Sequence, residues 1–261
     1  MRIGYRGLFA LLSAFLLATA GSRAPAMEFR DTDWSHGFRS NCTLPGENSV
    51  RLHAIGADQK VVFTLKPGDV GGCSSDAKPR HGARYWERAE LKQTSTLAVG
   101  QTHRISFEAT FEQGFRGKAE TFFQIHAWSR DCKSAPLLML QFDQKRLKTH
   151  VLQRTSDKFQ SGISRGNKGA LAEIKASRSA RKTLTTDALA GGPHRFDITF
   201  DTSGRNARMS VKMDGMPLVK NERVHLQRCV RPHVKFGIYR PGKTNRKTSV
   251  LLIDDVVISS R

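Results

Sequence analysis

The feature that most constrains this chain is the alternation of apolar and polar residues along short segments, each bounded by turn residues. Period two is the spacing of a β-strand with one buried face, and no segment sustains a helical period. Clusters such as Lys66-Pro67-Gly68-Asp69 and Asp214-Gly215 separate the segments. The pattern predicts an all-β protein, an antiparallel β-sandwich that forms a single domain. The segments are Val61–Leu65, His103–Phe111, Glu120–Trp128, Leu137–Phe142, Phe196–Phe200, Met209–Met213, Val234–Tyr239 and Val250–Ile258.

The first 26 residues do not belong to this predicted sandwich. Two arginines precede an uncharged apolar run, Leu8 to Ala20, and small residues that fit signal cleavage end at Ala20 and Ala26. The run of about 13 residues is shorter than the roughly 20 that a membrane-spanning helix needs. We therefore expect residues 1–26 to be a secretory signal peptide. Residues 27–261 would then be a secreted or periplasmic monomer without a membrane span.

The expected compartment decides how the cysteines are interpreted. They form no closely spaced pair and have no neighbouring histidine pair, which argues against a zinc site or a redox motif. In an oxidising compartment their even number indicates two disulfides. Three connectivities are possible, and we favour Cys42–Cys73 with Cys132–Cys229. The four are Cys42, Cys73, Cys132 and Cys229.

We expect no metal or other cofactor. The chain contains no D-x-D-x-D-G loop. A calcium ion at the adjacent carboxylates of Asp254 and Asp255 is the alternative. The site prediction below therefore uses no metal ion.

The charge of the chain points to an anionic partner. The sequence has 43 Lys+Arg against 23 Asp+Glu, a net charge of +20 at pH 7. A basic surface binds polyanions by releasing their counterions, and an exported protein meets acidic polysaccharides more readily than DNA. We expect an anionic polysaccharide and no nucleic acid as the partner. A solvated basic face that binds nothing is the alternative.

Basic residues accumulate between Gln153 and Asp187, where the apolar content falls. Residues 153–187 are predicted to be a long basic loop insertion, with a helical turn at Leu171 to Ala176. Loops of this length in compact domains are either functional or mobile. The segment is interpreted either as a flexible solvated insertion or as an arm that covers substrate.

Three strand segments carry polar residues that an ordinary solvated sheet face does not favour. Each segment has an apolar face that would pack in the core, so its polar face must point outward. Arginine, glutamine, histidine and tyrosine together can bind a sugar acid and transfer its protons, and three such strands indicate a site. The polar-face residues are Arg88, Glu90 and Lys92 in the first segment, Gln124, His126 and Trp128 in the second, and Lys235 and Tyr239 in the third.

These three segments resemble the signature strands of the jelly-roll polysaccharide lyases, in order and in spacing. Arg88-Ala89-Glu90-Leu91-Lys92, Gln124-Ile125-His126 and Lys235-Phe236-Gly237-Ile238-Tyr239 are similar to R-T/S-E-L-R, Q-I/V-H and Y-F-K-A-G-x-Y of the alginate lyases. The ending Gly237-Ile238-Tyr239-Arg240 more closely resembles the heparin lyase I and glucuronan lyase groups. Ala89 and Lys92 depart from the alginate-lyase pattern. The resemblance implies a concanavalin-like jelly roll from about Met27 onward, and β-elimination on a uronate-containing polysaccharide.

The resemblance also implies roles for these residues. Arg88 and Gln124 would neutralise the substrate carboxylate, which makes the proton at C5 acidic. His126 would remove that proton, and Tyr239 would protonate the leaving oxygen or act as the base itself. Glu90 would orient Arg88, and Lys235 could lower the pKa of Tyr239 if it lies close. The catalytic set is therefore His126, Tyr239, Arg88 and Gln124, and the substrate-binding set is Glu90, Lys92, Trp128, Lys235 and Arg240.

Two other classes of protein share this fold. A glycoside hydrolase needs paired carboxylates across its cleft, but no E-x-D-x-x-E strand is present, and alternation places Glu87 and Glu90 on opposite faces. A non-catalytic lectin-like or laminin-G-like carbohydrate-binding module remains the alternative to a lyase. Ultraviolet absorbance separates the two, because only elimination produces an unsaturated sugar.

Overall fold

The computed structural model describes residues 27–28, 37–42, 50–55, 58–79, 82–112, 115, 119–127, 134–154, 169–177, 180–243 and 246–261. The predicted signal peptide at residues 1–26 lies outside this part of the chain, as do Trp128 and Cys132. No helix in the described ranges has the length and apolar character that crossing a bilayer requires.

The described residues are almost entirely β-strand. The elements are β1 (Met27–Glu28), β2 (Phe38–Ser40), β3 (Val50–Ile55), β4 (Asp58–Leu65), β5 (Trp86–Gln93), β6 (Thr102–Phe111), β7 (Glu120–His126), β8 (Leu138–Asp143), β9 (Arg146–Arg154), β10 (Gly169–Ile174), α1 (Ala180–Thr183), β11 (Pro193–Asp201), β12 (Arg208–Met213), β13 (Met216–Arg223), β14 (His233–Pro241) and β15 (Ser249–Ser260). Every alternating segment identified in the sequence overlaps one of these strands.

The strands form two antiparallel sheets. One has the order β1-β3-β4-β15-β6-β11-β12-β13, and the other has the order β10-β9-β8-β7-β14-β5-β2. Many neighbours in a sheet are far apart in sequence, as in a jelly roll, so β14 pairs with both β7 and β5. The predicted antiparallel β-sandwich is confirmed.

Phenylalanine side chains join the two sheets. Phe107, on the inner face of β6, stacks against Phe123 at 5.0 Å between ring centroids, and its edge contact with Phe236 also measures 5.0 Å. All three rings are fully buried in one apolar core. Because Phe123 on β7 and Phe236 on β14 point inward, the residues that alternate with them point to the outer face of the seven-stranded sheet.

The predicted loop between residues 153 and 187 is corrected in part. Strand β9 extends to Arg154, and β10 pairs with it along six residues, from Gly169 opposite Arg154 to Ile174 opposite Thr149. The helical turn predicted at Leu171 to Ala176 is wrong, because the edge of β9 offers this short segment backbone hydrogen bonds that an isolated turn would lack. The rest of the predicted loop lies partly outside the described residues.

One of the two predicted disulfides is confirmed. Cys42 and Cys73 are bonded, with a Cα–Cα distance of 5.0 Å. Cys229 is also disulfide-bonded. Since Cys132 lies outside the described residues, its pairing with Cys229 stays a prediction.

Candidate active site

The three predicted polar faces lie side by side at the centre of the seven-stranded sheet, on β7, β14 and β5. In the strand register, Lys235 on β14 stands opposite Gln124 on β7 and opposite Lys92 on β5. Tyr239 stands opposite Arg88, and His233 stands opposite His126. We call the outward side chains of these three strands the outer-face site.

Arg88 is the most heavily bonded residue of the outer-face site. Its Nε and Nη2 each donate to a different carboxylate oxygen of Asp76 at 2.8 Å, and its Nη1 donates to Glu90. Arg88 is 6% exposed, and both acids are buried more deeply. The two carboxylates raise the pKa of Arg88, against the opposing effect of burial, which is the largest single influence. Arg88 is therefore a fixed cation with a fixed orientation.

Glu90 connects β5 to β7 and to the residue that follows β2. It accepts from Arg88, from the side-chain amide of Gln124 at 2.8 Å, and from the side-chain amide of Asn41 at 3.0 Å. With 2% exposure and three donors, Glu90 orients other side chains and offers little surface to a ligand. The sequence expectation that Glu90 pairs with Arg88 agrees with this geometry, and its assignment to direct substrate binding does not.

Tyr239 contacts the same arginine through its ring. The guanidinium carbon of Arg88 lies 4.2 Å from the centroid of the Tyr239 ring, and the ring of Trp86 stacks on Tyr239 at 4.8 Å. A cation against a phenol stabilises the phenolate form by Coulombic attraction. Arg88 is thus a cation in contact with Tyr239, and the expected effect of Lys235 on the pKa of Tyr239 stays a prediction. Trp86 packs against the tyrosine.

His126 is held in its neutral form. Burial lowers its pKa well below 6.5, and the positive charge of Lys235 lowers it further, followed by smaller effects of His233, Arg88 and Lys92. Arg88 acts on the pKa of His126 and also contacts the ring of Tyr239. His126 and Tyr239 therefore share the charge of this arginine. A neutral imidazole at neutral pH is the form that can accept a proton.

Two lysines supply positive charge beside the histidine. Burial lowers the pKa of Lys235 to about 8, partly offset by Glu90 and reinforced by Arg88 and Lys92. Burial and the neighbouring Arg39 also lower the pKa of Lys92. Below pH 8 the ammonium group of Lys235 is therefore charged beside the outer face.

Gly237 allows β14 to approach β5 closely at the middle of the site. Its φ is +127°, and a Cβ at this position would stand 2.1 Å from the carbonyl oxygen of Ala89. Strand pairing with β7 is also irregular between Phe236 and Tyr239. The glycine is thus required for the register that brings Tyr239 to Arg88.

Arg240, predicted from the sequence to bind substrate, lies in the interior instead. It is fully buried and donates to Glu87 at 2.5 Å, to Glu120 at 2.7 Å and to the hydroxyl of Ser249 at 2.8 Å. The reason is alternation, because Arg240 follows the outward Tyr239 and must face the opposite sheet. Glu87 and Glu90 do lie on opposite faces, as expected, each with its own arginine.

The sequence reasoning missed four residues in or beside the outer-face site: Arg39, Asn41, Asp76 and His233. Asn41 and Asp76 flank the cysteines of the Cys42–Cys73 disulfide, and the backbone N–H of Asp76 donates to the Cys73 carbonyl at 2.7 Å. The predicted Cys42–Cys73 disulfide could therefore have indicated that Asn41 and Asp76 lie near each other. His233 stands two residues before Lys235, so strand alternation already placed it on the polar face.

His233 forms a second histidine beside His126. The ring centroids are 5.7 Å apart, and His233 is 4% exposed. Burial lowers the pKa of His233 to about 3, together with the charges of Lys92 and Lys235. His233 is consequently neutral at neutral pH and adds no positive charge to the outer-face site.

Within the described ranges, no group of three or more His, Cys, Asp or Glu side chains is arranged to hold a metal ion. The two adjacent carboxylates considered for calcium pair with cations instead. Asp254 binds Lys60 at 2.8 Å, and Asp255 binds Arg195.

Comparison with known proteins agrees with this fold. A family model described as "Polysaccharide lyase" matches residues 21–257. Among curated proteins, no significant sequence match was found. Three solved alginate lyases have a similar fold at low sequence identity.

Alginate lyase A1-II' is 15% identical with a TM-score of 0.52, and the match covers 83% of this chain and 85% of that one. Alginate lyase AlgAT5, of polysaccharide lyase family 7, is 14% identical with a TM-score of 0.52, covering 87% and 95%. An alginate lyase from Pseudomonas aeruginosa is 13% identical with a TM-score of 0.50, covering 80% and 86%.

Proposed function

The chain belongs to the polysaccharide lyase family, and we propose that it cleaves a uronate-containing polysaccharide by β-elimination at the outer-face site. One observation carries this proposal: a histidine kept neutral and a tyrosine in contact with an arginine share one cationic surface. Elimination from a uronate needs a base, an acid and positive charge beside the carboxylate, and the three strands present all of these. The structural neighbours named above are alginate lyases, which supports an anionic substrate.

The carboxylate of the substrate must be neutralised before its C5 proton becomes acidic. Asp76 and Glu90 carry two negative charges against the single positive charge of Arg88, so Lys235 and Lys92 are both needed to give the site a net positive charge. Arg88 has five N–H groups, of which three are bonded to acids, and Gln124 uses one amide hydrogen on Glu90. Their remaining donors are oriented by these bonds, which lets them hold the carboxylate without reorganisation.

Proton transfer then follows from the states of the two candidate catalytic residues. Neutral His126 removes the proton from C5, the C4–O bond breaks, and a C4–C5 double bond forms. Tyr239 donates its phenolic proton to the departing oxygen and is left as a phenolate beside Arg88. Where the C5 proton and the leaving oxygen lie on one side of the sugar, Tyr239 starts as the phenolate beside Arg88, removes the C5 proton and passes it to the departing oxygen, and His126 holds the substrate.

We propose that the protein acts outside the cytoplasm. The Cys42–Cys73 disulfide supports this location, since such bonds persist in oxidising compartments. The bond ties the segment containing Asn41 to the one containing Asp76, and both residues hold the ion-pair network of the site.

The direct test is release of an unsaturated product, followed by ultraviolet absorbance, from glucuronan, alginate and a heparin-like polymer. We expect His126→Ala and Tyr239→Phe to lower kcat about 10²–10⁴-fold, the usual contribution of general acid–base groups. His194→Ala is the matched control, because His194 pairs with Asp214 on the other sheet. If Tyr239→Phe abolishes turnover and His126→Ala mainly raises KM, the tyrosine is both base and acid.

The lectin-like alternative makes a different prediction for the same experiment. A binding module would retain these polymers on the outer face and release no unsaturated product. Cleavage at the parent rate by both folded variants would also contradict the proposed site.

A further inference from the structure

A basic cavity lies at one end of the sandwich, apart from the outer-face site. The loop between β11 and β12 and the segment between β13 and β14 enclose it, with a volume of about 620 Å³. Four exposed arginines line it, and none of the residues lining it is acidic. The arginines are Arg205, Arg223, Arg228 and Arg231.

These arginines differ from the three arginines that pair with carboxylates within the described ranges. Arg88, Arg195 and Arg240 each pair with carboxylates. Within the described ranges, no carboxylate pairs with any of the four cavity arginines. Arg223 donates to the side chain of Asn206 at 2.6 Å, and Arg231 donates to the Val230 carbonyl at 3.3 Å.

Backbone hydrogen bonds fix the walls that bring the four charges together. Val224 N–H donates to the Ala207 carbonyl at 2.8 Å, and His225 N–H donates to the Leu152 carbonyl at 2.7 Å. The hydroxyl of Thr202 accepts from the N–H of Gly100 at 2.9 Å. Four like charges around one fixed cavity repel one another, and a bound anion relieves that repulsion.

A short stretch of chain connects the cavity to the histidine end of the outer-face site. Arg231 lies two residues before His233, a distance of about 7 Å along an extended chain. The Nδ1 atom of His233 lies 3.4 Å from the Arg231 carbonyl, and Leu97 N–H donates to the Pro232 carbonyl at 2.7 Å. One polymer can therefore occupy the outer face and reach this end of the sandwich.

We propose that the arginine-lined cavity is a second binding site for the acidic sugar units of the polysaccharide, recognising their carboxylate or sulfate groups. The proposal deepens the proposed function, because its ligand is a distant part of the same polyanion that the outer-face site cleaves. Two sites on one chain raise the affinity for long polymers through effective concentration. A short oligosaccharide that fills only the outer face gains nothing.

The test compares two pairs of charge-removing substitutions in a His126→Ala/Tyr239→Phe background, which leaves the polymer intact during titration. The cavity pair is Arg205→Gln with Arg228→Gln, side chains with no described structural bond. The control pair is Arg104→Gln with Lys212→Gln, which removes two exposed charges from the eight-stranded sheet. Calorimetric titrations use polyglucuronate, alginate and a glucuronate trisaccharide.

We expect the cavity pair to weaken the Kd for at least one polymer about 3- to 10-fold relative to the control pair, with a shallower dependence on salt. The trisaccharide Kd should not change. Arg231→Gln alone should shift the polymer Kd in the same direction. Equal polymer Kd values for the cavity and control pairs overturn the proposal. So does an equal loss of affinity for the trisaccharide, and so does a parent protein that binds neither polymer.

The outcome separates this inference from the proposed function. If the unsubstituted protein binds a polymer through the cavity and releases no unsaturated product from it, the cavity stands and the lyase proposal fails. If the unsubstituted protein cleaves a polymer and the cavity pair leaves Kd and KM unchanged, the lyase proposal stands and the cavity proposal fails.

Discussion

Two buried arginines, one on each face of the seven-stranded sheet, show how the same side chain serves different purposes. Arg240 faces inward between Glu87 and Glu120, and Arg88 faces outward between Asp76 and Glu90. Both carry two acidic partners and both have little exposure. They differ in what else they contact: Arg240 reaches a serine hydroxyl and backbone carbonyls, whereas Arg88 lies against Tyr239.

The comparison teaches that burial and ion pairing alone do not identify a functional arginine. Arg240 and its two acidic partners are fully buried between the sheets, so this network is closed to a ligand. The network around Arg88 is connected to Gln124 and to a tyrosine that is partly exposed. The first network stabilises the sandwich, and the second prepares a surface for a ligand.

Of the changes that separate the two arginines, we expect Arg240→Ala to have the largest effect, a loss of stability. Removing this cation leaves the fully buried carboxylates of Glu87 and Glu120 without their shared ion-pair partner. Such a loss typically costs about 3–5 kcal/mol of unfolding free energy. Chemical denaturation measures the loss, and the exposed Arg208→Ala should stay within about 0.5 kcal/mol of the parent. A similarly small change for Arg240→Ala would contradict the closed-network assignment.

Substitution by lysine sharpens the comparison, because it keeps the charge and removes the planar, multiply bonded group. We expect Arg88→Lys to lower kcat about 10²-fold, since preorganised donors at a developing charge contribute on this scale. Arg240→Lys should lower the melting temperature and leave kcat per folded molecule unchanged. Steady-state kinetics corrected by active-fraction measurements provide the check. Equal kcat values for the two variants would contradict the division of roles.

The pH profile of kcat/KM tests the charge states of the outward network. His126 must be neutral, and its lowered pKa places the acidic limb below pH 6.5. Lys235 must be protonated, and its pKa of about 8 makes activity fall as the pH rises through that value. Lys235→Arg should move the alkaline limb to higher pH, whereas Lys212→Arg should not. An unmoved alkaline limb would assign it to another group, such as Tyr239.

The smallest effect is expected for Lys92→Ala, at the edge of the outward network. Lys92 is more exposed than Lys235, and Arg39 stands opposite it on β2 as a neighbouring positive charge. Kinetics on a polymeric substrate should show KM raised about 2- to 5-fold, within the range of exposed ion pairs, with kcat nearly unchanged. A 10²-fold loss of kcat would move Lys92 into the catalytic group.

Strand alternation predicted most of the outward network, because period two assigns each side chain to a face. It predicted the strands, their polar faces and the separation of Glu87 from Glu90. The same rule, carried one residue beyond Tyr239, would have placed Arg240 in the interior. The error came from extending a sequence motif without asking which face its last residue occupies.

Other features could not be predicted from local pattern. Asp76 belongs to a loop, and its approach to Arg88 depends on the tertiary path that brings this segment over β5. The edge strand β10 is defined by its backbone pairing with β9, a partner that its own short sequence does not identify. The arginine-lined cavity likewise combines residues from β9, from the loop between β11 and β12 and from later segments, which only the folded chain brings together.

Gly237 has a consequence for protein engineering. A designer who copied the outward side chains onto another sandwich would reproduce the chemical groups without their spacing, because the spacing depends on a residue that has no side chain to copy. The minimal transferable unit is therefore β14 with β5, including the glycine and the Ala89 carbonyl it makes room for. Saturation mutagenesis should find this position among the least tolerant in the strand, and no second substitution on the outer face would rescue it.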